Sequence, residues 1–383
     1  MLKIKSVVIA FECLFVASFA NIRLFSQTIG LPTALVIGNK EYPSFPLSTT
    51  VQDAVDFGAA LKVLGWDVET KIDLTLKEMK DLIGKFADKS EDSSEILFYY
   101  AGHAVQLNGE NYLVPVDATF ESAEEIPQIT ISLRDIFDSL KGEGAKIVIL
   151  DACRNNPFRS GRGRILPIEG EWIPGLAPPS GATDNTLIAY ATDPGKEAAD
   201  PTLSFEHSYY TWALLQNMQE PGLEVRDLFS RVREIVRTST QRHQTPWENV
   251  SLLNKKIYFR KPATVRISVP DRDDFVVCFL NGEEIFSAQL DDPIPSGEVP
   301  LKSGENKFVI KVYNQKTYRN QNPFLGREGW KYKVILSQDD SPEPLKIFEG
   351  REDNPPESRW GRFFTVATAV IYVDPKTGKI SIF

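Results

Sequence analysis

Short apolar runs alternate with amphipathic stretches between Thr33 and Phe259. Runs such as ALVIG at 34–38 and EILFYY at 95–100 are almost continuously apolar, as expected for strands that are buried on both faces. This alternation predicts a mainly parallel sheet that is flanked by helices. The predicted strands are 34–38, 66–69, 95–100, 146–150, 187–192 and 256–259, and the predicted helices span 51–65, 75–89, 133–140, 208–218 and 225–238.

After Arg260-Lys261-Pro262 the pattern changes to strand-like runs without helical stretches. Asn281-Gly282 lies between two apolar runs and is a strong hairpin signal. We therefore predict an α/β domain at 33–260 and a small all-β sandwich domain at 263–383, for which an immunoglobulin-like arrangement is one candidate. The predicted strands of the second domain are 264–269, 275–280, 307–313, 331–336, 362–373 and 379–383.

Composition narrows the functional classes. The 383-residue chain is 42% hydrophobic and 25% charged, like an ordinary globular protein, and its net charge is −9. Broad binding of nucleic acid needs a basic face that neutralises phosphates, so we expect no nucleic-acid partner. Gly38-Asn39-Lys40 lacks the glycine spacing that cradles phosphates, which argues against a nucleotide-binding domain.

Residues 1–27 begin with Lys3 and Lys5 and continue through apolar runs at 7–10 and 14–20. Because small residues follow, this order is typical of a signal peptide and predicts a periplasmic or secreted protein. Glu12 interrupts the apolar run, so an amphipathic extension on a cytoplasmic protein is the alternative. The stretch is too short and too broken for a stable membrane span.

Three cysteines occur, and Cys13 would leave with the signal peptide. Cys153 and Cys278 fall in different predicted domains, so we expect no disulfide framework. No CxxC or HExxH pattern occurs, and Asp117 with the acidic run 121–125 matches no calcium-binding spacing. We therefore expect neither a metal nor another cofactor.

Two residues with reactive side chains follow predicted strands of the α/β region, His103 after 95–100 and Cys153 after 146–150. Catalytic groups of open α/β sheets gather beyond the carboxyl ends of the strands, where neighbouring strands would bring these two together. A histidine can take the proton of a cysteine thiol and leave a nucleophilic thiolate. The structural alternative is a buried, inert cysteine. His207 and His243 follow no such strand end, and we expect them to be surface or helix-packing residues.

The sequences FYYAGHA at 98–104 and IVILDACRNNPF at 147–158 resemble the histidine and cysteine motifs of caspase-like cysteine peptidases, and the match is closest to bacterial relatives of metacaspases and paracaspases. Four further motifs follow the order of that family: ALVIGN at 34–39, QDA at 52–54, NYLVPVDA at 111–118 and TLIAYATDPG at 186–195. The resemblance implies a mainly parallel six-stranded sheet flanked by helices, and cysteine-dependent endopeptidase activity on protein or peptide substrates. It also implies that Cys153 is the nucleophile and His103 the base, and that the backbone N–H groups of Cys153 and Ala104 form the oxyanion hole.

The sequence departs from the family at Ala104, where the family usually has glycine. If that position required positive φ, alanine would misalign the oxyanion hole and weaken activity.

Asp151 precedes Cys153 by two residues, and a carboxylate at the mouth of a cleft selects a cationic side chain before the cut bond. The family resemblance adds Asp53 to the same pocket, and together they predict cleavage after Arg or Lys. The alternative for Asp53 is a solvated or capping residue of a helix. Arg159, Arg162 and Arg164 lie in the 155–184 loop and suggest self-processing there, with a solvated charged loop as the alternative.

A different class of function is also open. A caspase-fold protein that has lost turnover would act as a scaffold or binding module, with the sandwich domain recruiting a partner that the sequence does not identify. The intact pair His103 and Cys153 favours the peptidase.

Overall fold

A computed structural model describes most of the chain. The described residues are 30–43, 45–119, 122–140, 142–153, 185–193, 206–253, 256–272, 275–288, 296–313, 330–338, 343–352 and 363–383. Residues 1–27 and the loop with Arg159, Arg162 and Arg164 lie outside this set. The signal peptide and the self-processing site therefore remain predictions.

The first part of the chain forms the expected α/β sheet. The path β2-β1-β3-β6-β7-β8 orders six strands, which are parallel except for the antiparallel β8 at the edge. The elements are β1 (Thr33–Gly38), α1 (Thr50–Val63), β2 (Asp67–Ile72), α2 (Leu76–Lys89), β3 (Glu95–Leu107), β4 (Glu110–Leu113), α3 (Ile126–Ile129), β5 (Ile131–Ser132), α4 (Leu133–Ser139), β6 (Ala145–Cys153), β7 (Thr186–Tyr190), α5 (Tyr209–Asn217), α6 (Val225–Ser239) and β8 (Trp247–Val250).

Each face of this sheet carries its own hydrophobic core. Ala34 and Val36 of β1 pack with residues of α1, α5 and α6. Leu35 and Ile37 point the other way and pack with residues of α2 and α4. Because side chains alternate across a strand, a strand covered on both faces must be apolar at every position, which explains the unbroken run in the sequence.

Gly38 lets α1 approach the carboxyl end of β1. A Cβ at this position would lie 2.5 Å from the carbonyl oxygen of Thr50 and 2.6 Å from Cβ of Ala54, so any side chain would push the helix away. The close approach brings the first turn of α1, which contains Asp53, to the edge of the sheet where β3 and β6 also end.

Two strand predictions need correction. β3 runs seven residues past the predicted end at Tyr100, to Leu107, because its last four residues pair with β4 in a hairpin through Asn108-Gly109. The predicted strand at 256–259 was wrong. Ile257 and Phe259 fill the core beside α6 instead of pairing in the sheet, and Trp247–Val250 provides the last strand.

The second part of the chain forms a β-sandwich, as expected. The strands are β9 (Thr264–Arg272), β10 (Phe275–Leu280), β11 (Glu283–Ala288), β12 (Ser296–Pro300), β13 (Gly304–Tyr313), β14 (Trp330–Ser337), β15 (Lys346–Glu352), β16 (Phe363–Val373) and β17 (Ile380–Ile382). They form the antiparallel sheets β11-β10-β13-β16-β17 and β12-β9-β14-β15, which share one apolar core.

The immunoglobulin-like arrangement is not the one that forms. In that fold the first two strands lie in one sheet, whereas β9 and β10 lie in opposite sheets here. The tight turn at Asn281-Gly282 keeps β10 and β11 together as a hairpin, as its sequence predicted. β12 and β15 were missed because their sequences, SGEVP and KIFEGRE, contain few consecutive apolar residues.

Candidate active site

His103 and Cys153 lie opposite each other in the backbone register of neighbouring strands. The parallel register of β3 and β6 pairs Tyr99 with Ile149 and continues to His103 opposite Cys153, the last residue pair between the two strands. Adjacent strands lie about 4.8 Å apart, so this register places the two backbones close together. The backbone therefore brings together the two residues that the sequence singled out.

Tyrosine side chains hold the backbone around His103. The hydroxyl of Tyr42 accepts a hydrogen bond from the His103 N–H at 3.0 Å. The hydroxyl of Tyr100 lies 2.8 Å from the carbonyl oxygens of both His103 and Val114. Gly102 makes this possible, because a Cβ there would lie 2.5 Å from the Tyr100 hydroxyl and 2.8 Å from that of Tyr42.

The ring of His103 is buried and held from two sides. Its Nε2 lies 2.7 Å from the carbonyl oxygen of Phe45, and its ring centroid lies 4.5 Å from that of Tyr42. A carbonyl oxygen can only accept, so this contact places the proton of a neutral imidazole on Nε2 and makes Nδ1 the basic nitrogen.

The N–H of Ala104 faces the β6 side of β3. The carbonyl oxygens of Ala101 and His103 accept from Asn39 and Val114 on the side of β3 where β1 and β4 lie. Backbone groups alternate between the two sides of a strand, so the N–H of Ala104 points the other way, toward the end of β6. Ala104 is in extended strand backbone opposite Leu113, and its methyl group is buried in the core. This position therefore requires no positive φ.

Asp53 and Asp151 lie together, although they are 98 positions apart in the sequence. Asp53 is 1% exposed and Asp151 is 6% exposed, so neither is a solvated surface residue. Ser208 joins them: its N–H lies 3.1 Å from Oδ1 of Asp53, and its hydroxyl donates to Oδ2 of Asp151. The hydroxyl of Thr211 donates to the same oxygen at 2.6 Å.

Burial governs the ionisation of this carboxylate pair. Removal from water raises the pKa of Asp151 to about 7, and the nearby charge of Asp53 adds to the effect. Burial also raises the pKa of Asp53, against hydrogen bonds from His207, Thr49 and Ser208 that lower it. Close to neutral pH, Asp151 is thus present in both its protonated and its ionised form.

His207 was wrongly expected to be a surface or packing residue. Its Nδ1 lies 2.9 Å from Oδ1 of Asp53, and its Nε2 lies 3.3 Å from Oδ2 of Asp56. The hydrogen bond to Asp53 raises the pKa of His207. No motif marked residues 206–208 in the sequence, because their role depends on the approach of α5 to α1. His243 follows α6 and is exposed, with its Nδ1 2.8 Å from the carbonyl oxygen of Thr240, as expected of a surface residue.

Metal binding and membrane spanning can be judged only for the described residues. Among the described residues no cluster of three or more His, Cys, Asp or Glu side chains is placed to bind a metal ion. Asp117 accepts a hydrogen bond from the N–H of Leu76 at the start of α2. Over the same described ranges, no helix has the length and apolar character needed to cross a membrane.

Part of the chain is similar to known proteins. A human protein, mucosa-associated lymphoid tissue lymphoma translocation protein 1, is 30% identical over 166 residues, which cover 43% of this chain and 19% of that protein. Its mouse homolog is also 30% identical over 166 residues, which cover 43% of this chain and 18% of that homolog. The alignments thus span less than a fifth of either relative. The family model of the caspase domain, a peptidase family, matches residues 32–258, more than half of the chain, and the chain therefore belongs to the caspase-domain family.

Proposed function

We propose that this protein is a cysteine endopeptidase that cleaves after Arg or Lys, with Cys153 as the nucleophile and His103 as the base. The observation that carries the proposal is the β3–β6 register, which ends with His103 opposite Cys153 in a chain of the caspase-domain family. The substrates would be proteins or peptides.

The proposed reaction uses His103 twice. Its Nδ1 accepts the proton of the Cys153 thiol, and the thiolate attacks the carbonyl carbon of the scissile bond. The resulting imidazolium then gives that proton to the leaving amine, so the C–N bond breaks and a thioester remains. His103 takes a proton from water, which attacks the thioester. The C–S bond then breaks, the product leaves as its carboxylic acid, and His103 returns the proton to the sulfur of Cys153. The Phe45 carbonyl supports this assignment because it holds the Nε2 proton and orients the ring.

Backbone N–H groups would stabilise the negative oxygen of the tetrahedral intermediate. The N–H of Ala104 faces the end of β6, and we assign it to the oxyanion hole with the N–H of Cys153. The extended backbone of Ala104 supports full function without glycine, since any residue can adopt it.

We assign the specificity to Asp53 and Asp151. Two buried carboxylates beside the end of β6 provide a site for a guanidinium or ammonium group, because a cation that entered would neutralise their shared negative charge. Cleavage within the 155–184 loop, at Arg159, Arg162 or Arg164, would follow from the same preference.

Hydrolysis of fluorogenic peptides that end in Arg, Lys or Asp tests the proposal. The wild type should cleave the Arg and Lys peptides and leave the Asp peptide intact, and Cys153→Ala should abolish turnover. Cys278→Ala is the matched control, because Cys278 is buried in the sandwich core and should not affect the rate.

Two results would contradict the proposal. Selective cleavage after Asp would show that Asp53 and Asp151 do not form the specificity pocket. A folded protein that cleaves none of the peptides would favour the scaffold function instead.

Self-processing requires a separate time course, in which the wild type is cut between residues 155 and 184 and Cys153→Ala stays intact.

A further inference from the structure

His207, just before α5, contacts the buried carboxylate of Asp53. Its side chain is 15% exposed and lies between Asp53 and Asp56 of α1, with one ring nitrogen close to each carboxylate. Nδ1 forms a hydrogen bond with Asp53, whereas Nε2 makes only a charge contact with Asp56. Two carboxylates this close to the ring favour its protonated form, the imidazolium.

A substrate cation would need the same acceptor. A guanidinium recognises carboxylates through N–H donors, as the imidazolium of His207 does. Asp53 is 1% exposed and already receives hydrogen bonds from His207 and Ser208. An arginine side chain that paired with Oδ1 of Asp53 would compete with the hydrogen bond from His207.

The charges around His207 are mainly negative. Asp53 and Asp56 face it from α1, and Glu206 precedes it in the chain. Asp151 at the end of β6 is linked to the group through Ser208, whose hydroxyl binds Asp151 and whose N–H binds Asp53. Tyr99 and Tyr210 lie close to Asp151, and burial keeps both neutral by raising their pKa values.

We propose that His207 is a specificity-determining residue that competes, as an imidazolium, with the Arg or Lys side chain of the substrate for Asp53. This inference rests on the proposed function, since it assigns a role within the same pocket. His207 makes substrate binding depend on pH. A cation binds Asp53 only if its affinity is high enough to displace the imidazolium.

The direction of the pH effect follows from the groups involved. The hydrogen bond to Asp53 raises the pKa of His207, so the competing cation persists toward neutral pH and is lost as the pH rises further. Asp151, with a pKa of about 7, becomes a carboxylate as the pH rises through that value. Both changes favour a substrate cation, so KM should fall as the pH rises, whereas kcat should follow the catalytic pair.

Kinetics of His207→Gln provide the first test. Glutamine can donate one uncharged hydrogen bond to Asp53, so the pocket stays filled but the competing charge is gone. At about pH 6 the KM for an Arg peptide should be about tenfold lower than in the wild type, because Asp53 is available to the substrate in a larger fraction of the molecules. Near pH 8.5 the two KM values should converge, and kcat should stay the same. His243→Gln is the matched control and should keep the wild-type profile, since His243 lies at the end of α6.

A binding measurement tests the same role without turnover. Nα-acetyl-arginine amide is titrated into Cys153→Ala at about pH 7 in buffers of different ionisation enthalpy, which reports the protons released on binding. Displacement of His207 from Asp53 lowers its pKa and should release part of a proton per bound ligand. The double variant Cys153→Ala/His207→Gln should therefore release fewer protons than Cys153→Ala. The protons that remain belong to Asp151.

The outcomes separate the two proposals. If the wild type cleaves Arg peptides but His207→Gln shifts neither the KM profile nor the proton release, the role of His207 is wrong and the peptidase stands. If no peptide is cleaved, the proposed function fails, and the titration alone decides the role of His207. Equal proton release by both Cys153→Ala proteins, or no binding of the arginine derivative, would overturn it.

Circular dichroism and thermal unfolding confirm that each variant is folded. If His207→Gln does not fold, His207→Asn takes its place in both tests.

Discussion

Single residues show which parts of the site a sequence can reveal. His103, Cys153 and Asp151 follow buried strands, so their positions at the sheet edge could be predicted from the apolar pattern. Tyr99 and Tyr100 read only as apolar strand residues, yet the hydroxyl of Tyr99 lies 2.6 Å from that of Thr211 beside the carboxylates, and Tyr100 supports His103 on the other face.

The contacts of Phe45 and His207 could not be predicted. Phe45 approaches His103 across 58 positions, and His207 approaches Asp53 across 154. Such contacts depend on how loops and helix ends pack, which local patterns do not encode.

Gly102→Ala tests the support of His103. The new Cβ would overlap the hydroxyls of Tyr42 and Tyr100, so we expect a loss of about 1–3 kcal/mol in the free energy of unfolding and a large fall in kcat. Gly84→Ala is the control: it lies in α2 with open space around it and should gain about 0.5–1 kcal/mol without a change in kcat. Unchanged stability and kcat in Gly102→Ala would contradict the proposed support.

Asp151→Asn tests the buried carboxyl group. Because the pKa of Asp151 is raised to about 7, its protonated form stabilises the fold fully below about pH 4, and this contribution is lost as the pH rises through about 7. Asparagine stays neutral, so above pH 7 the variant should be more stable than the wild type by on the order of a few kcal/mol. The difference should vanish toward about pH 4 in denaturant titrations. An equal difference at all pH values would contradict the assignment.

At the scale of elements, the strands buried on both faces were the most predictable. Continuous apolar runs are typical of strands that are covered by helices on both faces of a sheet. β3 was predicted too short because its extension is the first half of a hairpin, where AGHAVQL mixes small, polar and apolar residues. The KIYF run at 256–259 was mistaken for a strand because burial against helices and burial in a sheet leave the same apolar signal.

Ser208→Ala tests the link between α5 and the pocket. Ser208 is the N-cap of α5 and joins Asp53 to Asp151, so its loss should lower stability by about 1 kcal/mol and change the KM for Arg peptides. Thr75→Ala removes the comparable cap of α2 and should lower stability similarly while KM stays constant. Thermal unfolding and Michaelis kinetics measure both. The same KM in both variants would contradict the bridging role of Ser208.

At the scale of the molecule, the α/β and sandwich regions have separate cores. No residue is shared between the two cores of the sheet and the sandwich core in the described part of the chain. Arg260 connects the regions by donating to the carbonyl oxygens of Gln219, Lys376 and Thr377 at 3.0, 2.7 and 2.7 Å. The change of pattern after Pro262 predicts a division into two domains, whereas the Arg260 contacts join positions that are distant in the sequence.

Two buried phenylalanines test this division. Phe57→Ala and Phe308→Ala each remove a fully buried ring, from the α/β and the sandwich core respectively, and each should cost about 3–5 kcal/mol. Calorimetry of the full chain should show two transitions, with one lowered by each variant, and peptide hydrolysis should survive only in Phe308→Ala. A single transition that both variants lower would contradict separate domains.

The nucleophile can be identified most directly by labelling with a peptidyl-arginine acyloxymethyl ketone, which alkylates an attacking thiolate. Mass spectrometry of the digested protein should locate the label on Cys153, and His103→Gln should abolish it. Cys278 is an internal control, because burial raises its pKa to about 12 and keeps it an unreactive thiol. Label on Cys278 instead, or a folded protein that takes up no label, would contradict the assignment of His103 and Cys153 as the catalytic pair.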